Sequence, residues 1–415
     1  MEAKKQKINN IFLTGFFGAG NVGDEAVALA VYNGVKLRFP LSSTTMVTRN
    51  KEYTKSFAGI KDSEFCIGFF PSLDYFKHII CHLKNINKSD LIIIGGGGLL
   101  QDVHSWTTIA SQLLPACIGL VLNKKIATVG IGVGPIERKW LKNFVQFVLN
   151  NISLIQVRDL YSQNELIQYG VKPENINITA DVVPSLDLKT IYELEKKTDQ
   201  NQSKPNMVGI AFRKWEGVDK KGLASLCQKL IKENIKIIFL CYEPKSDQLF
   251  YKSIIDQVKG INEKIEIHIP INLEDAIKTL NQCNFILSMR LHGCVFATAL
   301  EKDHFSFPYD NKVTEFETRV GNHDQILSIF DISPEIADSI FSRLDNKKDI
   351  SETTKQFYKE KSLSKSNFNS LENIAELKSD LKVKFIAVGW LNYLILRSLI
   401  MYLNKVFKYL YRKTK

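Results

Sequence analysis

Residues 10–27 read NIFLTGFFGAGNVGDEAV, in which an apolar run ends in a glycine-rich loop and a helical pattern follows. An apolar run followed by glycines recurs at SDLIIIGGGGLLQD (89–102) and KIATVGIGVGP (125–135), and further apolar runs lie in SLIQVRD (153–159) and NITADVVPSL (177–186). Apolar runs of this length are typical of buried parallel strands. Strands that alternate with helices at this spacing form a doubly wound α/β sheet, so we expect residues 8–188 to fold as a Rossmann-like domain.

A second series of the same kind follows a polar stretch. Its predicted strands lie in MVGIAFRKW (207–215), NIKIIFLCYEP (234–244), EIHIPIN (266–272), NFILSMRLHG (284–293) and HFSFPYDNKV (304–313). We therefore expect a second Rossmann-like domain at residues 207–344, joined to the first by a linker at 189–206. Residues 345–380 are polar and are predicted to form an exposed connector, and residues 381–415 form a basic tail. Two such domains place a ligand cleft between the carboxyl ends of their sheets.

The positive charge of the chain is concentrated at its C-terminal end. The 415 residues carry a formal net charge of +11, and the last 35 residues contain eight basic residues and no acidic one. The rest of the chain is therefore close to neutral. This argues against nucleic acid as a partner, because binding to a phosphate backbone needs a basic surface on the folded domain.

The cysteines and the N-terminus indicate where the protein works. The seven cysteines are scattered and never spaced as CxxC, which indicates reduced thiols rather than a disulfide framework. The N-terminal apolar run breaks at Gly15 and leads into a glycine loop, unlike a signal peptide. We expect a cytoplasmic protein that is not exported.

Two glycine loops are candidates for contact with a ligand. In GFFGAGNVGDE (15–25), the loop precedes a helix whose positive end would attract an anion, so Asn21 and Asp24 are candidate contacts, although both could simply cap the helix. The second loop lets a ligand approach the backbone closely. Its glycines are Gly95, Gly96, Gly97 and Gly98. Asp102 would lie at the rim of the same cleft, or would be an ordinary carboxylate at a helix start.

Polar side chains follow three of the predicted strands. Arg158 follows the strand in SLIQVRD and Arg213 the strand in MVGIAFRKW, while SMRLHG places Arg290 and His292 after the strand FILS. Arginines at strand ends suit a crevice that binds carboxylate or phosphate groups. The alternative for Arg158 is an ion pair that holds a loop, and for Arg213 a surface ion pair. Alternation along an extended segment places Arg290 and His292 on one side and Leu291 on the other.

Other patterns do not support a metal site or a hydrolase. His78 and His82 have helical i, i+4 spacing but lack a third ligand and the glutamate of H-E-x-x-H, so an amphipathic helix is the better interpretation. The sequence contains no G-x-S-x-G element that could hold a nucleophilic serine or cysteine. We therefore predict no metal ligands.

The ordered set of motifs resembles the polysaccharide pyruvyl transferase family. The resemblance covers roughly residues 10–325, and its motifs are GFFGAGNVGDEA, IIIGGGGLLQD, GIGVGP, VRDLYSQNELIQYGV, TADVVPSL, AFRKW, SMRLHG and PYDNKV. It implies a two-domain, GT-B-like fold. It also implies that the enolpyruvyl group of phosphoenolpyruvate is moved onto two hydroxyls of a sugar to form a pyruvate ketal, without a metal or another cofactor.

The resemblance places the motif residues at a phosphoenolpyruvate site. His292, Arg290 and Asp102 are the predicted catalytic residues, with His292 as general acid and with Asp102 or the returned His292 as base. The predicted substrate contacts are Arg213, Leu291, Asn21, Asp24, Gly95, Gly96, Gly97, Gly98 and Arg158. Two other functions stay open at this point: a GT-B-type glycosyltransferase that uses a nucleotide sugar, and a non-catalytic glycan-binding homologue.

The basic tail has the pattern of an interfacial helix. The apolar run from Phe385 to Leu396 is interrupted by Arg397 and looks too short to span a membrane. An apolar stripe and an opposite basic face follow on a helix. The stripe consists of Leu396, Leu399, Ile400, Leu403, Val406, Phe407 and Leu410, and the basic face of Arg397, Lys405, Lys408 and Arg412. We expect peripheral or monotopic attachment to the cytoplasmic face of a membrane, where a lipid-linked glycan acceptor would be found; the alternatives are a stripe packed on the protein and a tilted single span.

Overall fold

The computed structural model describes residues 8–67, 75–103, 105–193, 206–258, 262–346, 349–374 and 379–413. Within these residues, two parallel sheets have helices packed on both faces. The predicted α/β fold with two Rossmann-like sheets is therefore confirmed.

The N-terminal sheet is built from the first series of apolar runs. Its strands are β1 (Asn10–Thr14), β2 (Ser43–Thr48), β3 (Glu64–Ile67), β4 (Leu91–Leu100), β5 (Lys125–Val133), β6 (Ile155–Val157) and β7 (Ile176–Ile178). They are parallel in the order β3-β2-β1-β4-β5-β6-β7, so the order reverses between β1 and β4. In open α/β sheets, ligands bind outside the carboxyl ends of the strands at this reversal, which here is where both glycine loops begin.

The second sheet repeats this topology on a smaller scale. Its strands are β8 (Met207–Ala211), β9 (Lys236–Leu240), β10 (Ile265–His268), β11 (Phe285–Ser288) and β12 (Asp303–Ser306). The order β10-β9-β8-β11-β12 reverses between β8 and β11. Arg213 follows β8, and Arg290 follows β11. The two arginines therefore leave the sheet at its own switch point.

The helices cover both sheets. Those of the N-terminal part are α1 (Val22–Arg38), α2 (Lys51–Phe57), α3 (Tyr75–Lys88), α4 (Trp106–Val121), α5 (Lys139–Leu149), α6 (Leu160–Gln168) and α7 (Leu188–Glu193). The later ones are α8 (Lys220–Lys232), α9 (Pro244–Ile255), α10 (Leu273–Gln282), α11 (Leu291–Ala299), α12 (Asn311–Arg319), α13 (Ile336–Asp345), α14 (Ser351–Asn369) and α15 (Leu381–Lys413).

The two sheets share one apolar core. Ile11 and Leu13 face this core from β1, and Ala211 and Val295 face it from the second sheet and from α11. Phe12 faces the opposite side, where α4 and α5 pack. Because side chains alternate along a strand, β1 contributes to both cores, and the two domains are held together by buried apolar contacts.

The linker and two strands differ from the sequence prediction. The predicted linker begins as helix α7, and its residues 194–205 lie outside the described residues. Strands β2 and β3 were not predicted from the sequence. The segment STTMVT of β2 is too polar, and the segment EFCI of β3 too short, to stand out as an apolar run.

The prediction of an exposed polar connector at residues 345–380 is wrong. Most of this segment forms helix α14, which packs on both domains. Phe357 and Phe368 of α14 belong to the shared core, and the Phe368 ring lies against Gly34 of α1. Asn367 donates from its amide to the carbonyl of Ala180 over 3.0 Å. The segment has few apolar residues, but they lie on the one face that is buried.

Helix α15 is continuous over 33 residues and packs along α4. Ala387 and Leu394 are buried against α4, and the Arg397 guanidinium lies 4.6 Å from the centre of the Trp140 ring. Arg397 therefore faces the protein rather than solvent, which corrects the predicted basic face at that position. The stripe residues Leu396, Leu399 and Ile400 are exposed.

The length of α15 corrects a second prediction. Residues Leu381–Met401 are long and apolar enough to cross a membrane by length and composition, whereas the sequence analysis took the apolar run to be too short. The structure does not describe the side chains of the remaining stripe residues, which are Leu403, Val406, Phe407 and Leu410. Within the described part, one side of α15 is covered by protein and the other presents apolar side chains outward.

Candidate active site

A cavity of about 420 Å³ lies between the carboxyl ends of the two sheets. The loops after β1 and β4 line it from one domain, and the segments after β8 and β11 line it from the other. Its charged and amide-bearing lining residues include Asn21, Asp24, Arg49, Gln101, Arg158, Arg213, Glu243, Arg290, His292 and Lys312. The site is therefore rich in cations and formed by both domains.

The first glycine loop docks on the second domain. The Asn21 side chain caps α1 by accepting from the Gly23 amide over 2.8 Å, and its Nδ2 donates to Glu243 Oε1 over 3.1 Å. The Val22 amide donates to the Tyr242 carbonyl over 2.9 Å. Asn21 is thus both a helix cap and a contact between the domains.

Arg290 stands at the N-cap of α11 and is held by two carboxylates. Its Nη2 lies 2.5 Å from Asp247 Oδ1, and its Nη1 lies 3.4 Å from Glu243 Oε1. Burial opposes the charge on Arg290, but Asp247 and Glu243 outweigh it and raise its pKa. Helix α11 begins at Leu291, so the segment is not extended there. Leu291 lines the cavity together with Arg290 and His292, and the prediction that Leu291 would face the opposite side is wrong.

His292 lies in the first turn of α11 against the first glycine loop. A Cβ placed on Gly23 would stand 2.2 Å from the Nδ1 atom of His292, so the imidazole packs directly on that glycine. On the other side, His292 Nε2 lies 3.6 Å from Asp181 Oδ1. Burial favours the neutral form of Asp181, but His292 and Arg158 outweigh it and lower the pKa of Asp181.

Asp24 faces the same cavity from the first turn of α1. Burial raises the pKa of Asp24 to about 6, and the nearby carboxylate of Glu243 acts in the same direction. His292, Lys312 and Arg290 oppose this shift without cancelling it. Asp24 therefore holds or loses a proton near neutral pH, which an ordinary aspartate does not.

Arg158 and Arg213 both line the cavity but are held differently. Arg158 donates from Nε to Asp159 Oδ2 over 2.7 Å, so the loop-holding ion pair is present, and the guanidinium also borders the cavity. Arg213 Nη1 donates to the Tyr309 hydroxyl over 3.3 Å. Its guanidinium carbon lies 5.5 Å from the centre of the Trp215 ring, in cation–π contact.

The four glycines predicted to form the second loop lie inside strand β4, which continues to Leu100. Gly96 and Gly97 have φ angles of 57° and 78°, values that a side chain would make unfavourable, and they line the cavity together with Gly98. Gly95 does not line it, because this residue packs against Val31 of α1. Three of the four predicted glycines therefore border the site.

Asp102 does not line the cavity. Its carboxylate is buried, accepts from the amides of Glu137 and Arg138 over 2.9 Å and 3.2 Å, and lies 2.8 Å from Arg138 Nη1. Burial favours its neutral form, but these hydrogen bonds outweigh it and lower the pKa of Asp102. The carboxylate holds the segment after β5 in place and lies outside the cavity lining, so the structure does not support its predicted role as base.

The sequence comparison decides the family. A model of the family described as polysaccharide pyruvyl transferase matches residues 21–311, which is more than half of the chain. The chain belongs to the polysaccharide pyruvyl transferase family. The matched region contains Asn21, Asp24, Arg213, Arg290 and His292. A search of curated proteins found no match.

Solved structures of other proteins share the fold of this pyruvyl transferase family member. It is similar to a putative UDP-N-acetylglucosamine 2-epimerase from Listeria monocytogenes, with 11% identity, a TM-score of 0.63, and coverage of 90% of this chain and 100% of that chain. The epimerase of Neisseria meningitidis bound to UDP-GlcNAc has 12% identity, a TM-score of 0.61, and coverage of 88% and 100%. Anabaena HepE in complex with UDP-glucose has 11% identity, a TM-score of 0.56, and coverage of 92% and 99%. These similarities confirm a GT-B-like architecture.

The cavity is also lined by residues that were not predicted from the sequence. Arg49 follows β2, and its guanidinium lies 3.9 Å from the centre of the Phe16 ring. Lys312 lies 2.9 Å from Asp310, and Tyr309 packs on Trp215 with ring centres 4.7 Å apart. Arg49 occupies a strand end like Arg213, so that rule could have found it once β2 was recognised.

A separate cluster of possible metal ligands lies inside the second domain. Cys294, His304 and Glu317 are buried with their ligand atoms within 4.8 Å of one another. His304 Nε2 lies 2.9 Å from Glu317 Oε1, and Glu317 Oε2 accepts from Asn322. Burial opposes the charge on both groups, but their pairing outweighs it, raising the pKa of His304 and lowering that of Glu317. The cluster has the geometry of a buried ion pair between β12 and α12.

Proposed function

We propose that this chain transfers the enolpyruvyl group of phosphoenolpyruvate onto a glycan acceptor and forms a pyruvate ketal. The observation that carries the proposal is a set of three buried nitrogen atoms on cavity-lining residues. Among the described residues, Arg213 Nε, Arg290 Nε and His292 Nε2 have no hydrogen-bond partner. A buried polar group without a partner is costly, and an anionic ligand would satisfy these groups.

The charges of the cavity suit this donor. Phosphoenolpyruvate carries a carboxylate and a phosphate, both of which match guanidinium geometry. The cations of the lining are Arg49, Arg158, Arg213, Arg290 and Lys312. Its carboxylates are Asp24 and Glu243, and Glu243 is already occupied by Arg290. The backbone of Gly96, Gly97 and Gly98 lets the donor approach closely, and no cofactor is needed because phosphoenolpyruvate itself supplies the transferred group.

His292 is the general acid of the proposed reaction. A proton delivered to the methylene carbon of phosphoenolpyruvate makes the central carbon oxocarbenium-like and open to attack by a sugar hydroxyl. Acid catalysis of this kind contributes about 10² to 10⁴ in rate. Asp181 Oδ1, 3.6 Å from Nε2, orients the imidazole.

The replacement His292→Ala tests the proposal. We expect the purified variant to keep its melting temperature but to lose two activities, the release of phosphate from phosphoenolpyruvate and the addition of pyruvate to lipid-linked glycans. Mass spectrometry of the glycans detects the added pyruvate. The matched control is His323→Ala, an exposed histidine in the same domain, which should keep full activity. Wild-type rates in His292→Ala would refute the assignment of His292.

A nucleotide-sugar transferase is the competing function. It is favoured by the fold neighbours whose structures contain UDP-GlcNAc or UDP-glucose. Thermal-shift measurements with phosphoenolpyruvate and with a panel of nucleotide sugars separate the two. Stabilisation by phosphoenolpyruvate alone supports pyruvyl transfer, whereas stabilisation by a nucleotide sugar alone supports the competitor.

The protein is further proposed to work at the cytoplasmic face of a membrane. The exposed apolar side of α15 and the seven basic residues other than Arg397 after position 380 suit peripheral attachment to an anionic bilayer. Attachment would bring the cavity close to an acceptor carried on a lipid.

A further inference from the structure

The proposed reaction requires a base for the acceptor hydroxyl, and Asp102 cannot supply it. Asp102 is buried among hydrogen bonds from Glu137 and Arg138, away from the cavity. The carboxylates of the lining are Asp24 and Glu243. A base that serves the acceptor must lie in the cavity and have a free lone pair.

Glu243 is already bound by three polar partners, whereas Asp24 is bound by none among the described residues. Glu243 lies 3.4 Å from Arg290, accepts from Asn21 Nδ2 over 3.1 Å and accepts from Ser246 Oγ over 3.2 Å. In the part of the chain that the structure describes, the Asp24 carboxylate accepts no hydrogen bond and lies in no ion pair. Its lone pairs are therefore available to a bound substrate.

Asp24 is also placed next to the proposed acid. Asp24 directly follows Gly23, the residue on which the His292 ring packs. Asp24 lies in the first turn of α1, and His292 lies in the first turn of α11. The cavity residues whose charges act on Asp24 include His292, Glu243, Lys312, Arg290 and Arg49, and the buried carboxyl of Glu25, outside the cavity, also interacts with Asp24. An acid from the second domain and a carboxylate from the first thus line one cavity.

We propose that Asp24 takes the proton of the first acceptor hydroxyl and returns it to the departing phosphate. This inference rests on the proposed pyruvyl transfer. Protonated His292 gives its proton to the methylene carbon, the first hydroxyl oxygen bonds to the central carbon, and its proton goes to Asp24. The C–O bond between the central carbon and the phosphate oxygen then breaks, and its electron pair stays on that oxygen. Asp24 donates its proton to the departing phosphate. The second hydroxyl bonds to the same carbon and returns a proton to His292.

The two groups are restored in each turnover and the atoms balance. Of the two hydroxyl protons, one replaces the proton that His292 gave to the new methyl group, and the other leaves on phosphate. The pKa of Asp24, raised by burial to about 6, suits a group that both accepts and donates a proton near neutral pH. An ordinary aspartate would be a weaker base and a poor proton donor to phosphate.

Asp24→Asn keeps the shape of the side chain and removes the base, and Asp24→Ala leaves room for an added one. We expect both to lower the rate of pyruvyl transfer by about 10² to 10⁴ while phosphoenolpyruvate still raises their melting temperature. Sodium formate should restore part of the rate to Asp24→Ala and none to Asp24→Asn, where the amide fills the space. In the wild type, kcat/KM should fall as the pH is lowered through about 6, because protonated Asp24 cannot accept a proton.

The outcomes separate this inference from the proposed function. A wild-type protein that transfers no pyruvate would refute the proposed function, and the inference with it. An active wild type with an Asp24→Asn variant within tenfold of its rate would refute the role of Asp24 alone. A variant that loses both activity and the shift caused by phosphoenolpyruvate, without formate rescue, would show that Asp24 is structural.

Discussion

At the scale of single residues, the position of His292 depends on the absence of a side chain at Gly23. Gly23 has no Cβ, and the His292 ring occupies the space that a Cβ would need. The arginines show a second effect, because Arg290 and Arg158 are each paired with carboxylates. A paired arginine is held in a fixed position, and its positive charge is partly offset by the carboxylate beside it. Arg213 instead contacts aromatic rings and a hydroxyl, so it contributes more net attraction for an anion.

Gly23→Ala should lower the turnover rate without unfolding the protein. The added methyl group would stand 2.2 Å from His292 Nδ1 and displace the imidazole, while alanine itself is favourable in a helix. A misplaced catalytic group costs about 10² in rate, which phosphate release measures. Gly389→Ala is the matched control, since this glycine lies in α15 with nothing within 4 Å of the added carbon. Equal activity of the two variants would contradict the contact.

At the scale of elements, α15 joins the fold and its environment. Ser379 donates to the carbonyl of Leu120 near the end of α4, and further along Trp140 lies between Tyr393 and Trp106, the first residue of α4. The two helices are therefore antiparallel, and α15 runs toward the end of α4 where Thr107 lines the cavity. Removing α15 would uncover apolar side chains of α4, so point changes on its outer face are the better test of membrane attachment.

The double replacement Leu396→Glu and Leu399→Glu should reduce binding to anionic vesicles. Both side chains are exposed on the outer face of α15, and buried carboxylates would oppose insertion of this face among acidic headgroups. Co-sedimentation with vesicles of phosphatidylglycerol and phosphatidylcholine measures the loss. Leu249→Glu, an exposed leucine of α9 in the second domain, is the control and should bind like the wild type. Unchanged binding of the double variant would contradict the proposed membrane surface.

At the scale of the whole molecule, the cavity exists because two domains and α14 are tied together. Arg319 of α12 donates to the carbonyls of Arg158 and Thr179 in the first domain. The same side chain lies 2.8 Å from Glu360 of α14. Burial raises the pKa of Glu360 to about 7, even though Arg319 acts against this shift. One partly buried cation therefore links three parts of the chain behind the site.

Arg319→Ala should destabilise the protein by about 3 kcal/mol, because it leaves Glu360 and two carbonyls buried without their partner. Differential scanning calorimetry at a pH above 7, where Glu360 is charged, measures the effect. Lys229→Ala is the control: this residue pairs with Asp338 over 2.7 Å on an exposed surface, where a salt bridge contributes only about 0 to 1 kcal/mol. Equal melting temperatures for the two variants would contradict the role of Arg319.

The sequence by itself determined the two Rossmann-like sheets, the family and ten of the 21 residues that line the cavity. The apolar runs at 10–14 and 91–94 and the glycines that follow them are local patterns, and the rule that ligands bind at the carboxyl ends of strands turned them into a cleft. Arg213, Arg290 and His292 were found in this way. Arg49 was not, because the strand before it is too polar to be recognised.

Only the tertiary structure decided which side chains face each other across long separations. Asp102 meets Arg138, α14 packs on both domains, and Asp24 lines the same cavity as His292 from the opposite domain. None of these contacts follows from hydrophobic periodicity, because a local pattern shows which face of an element is buried but not which partner buries it. For this reason the base that we propose is Asp24 rather than the predicted Asp102.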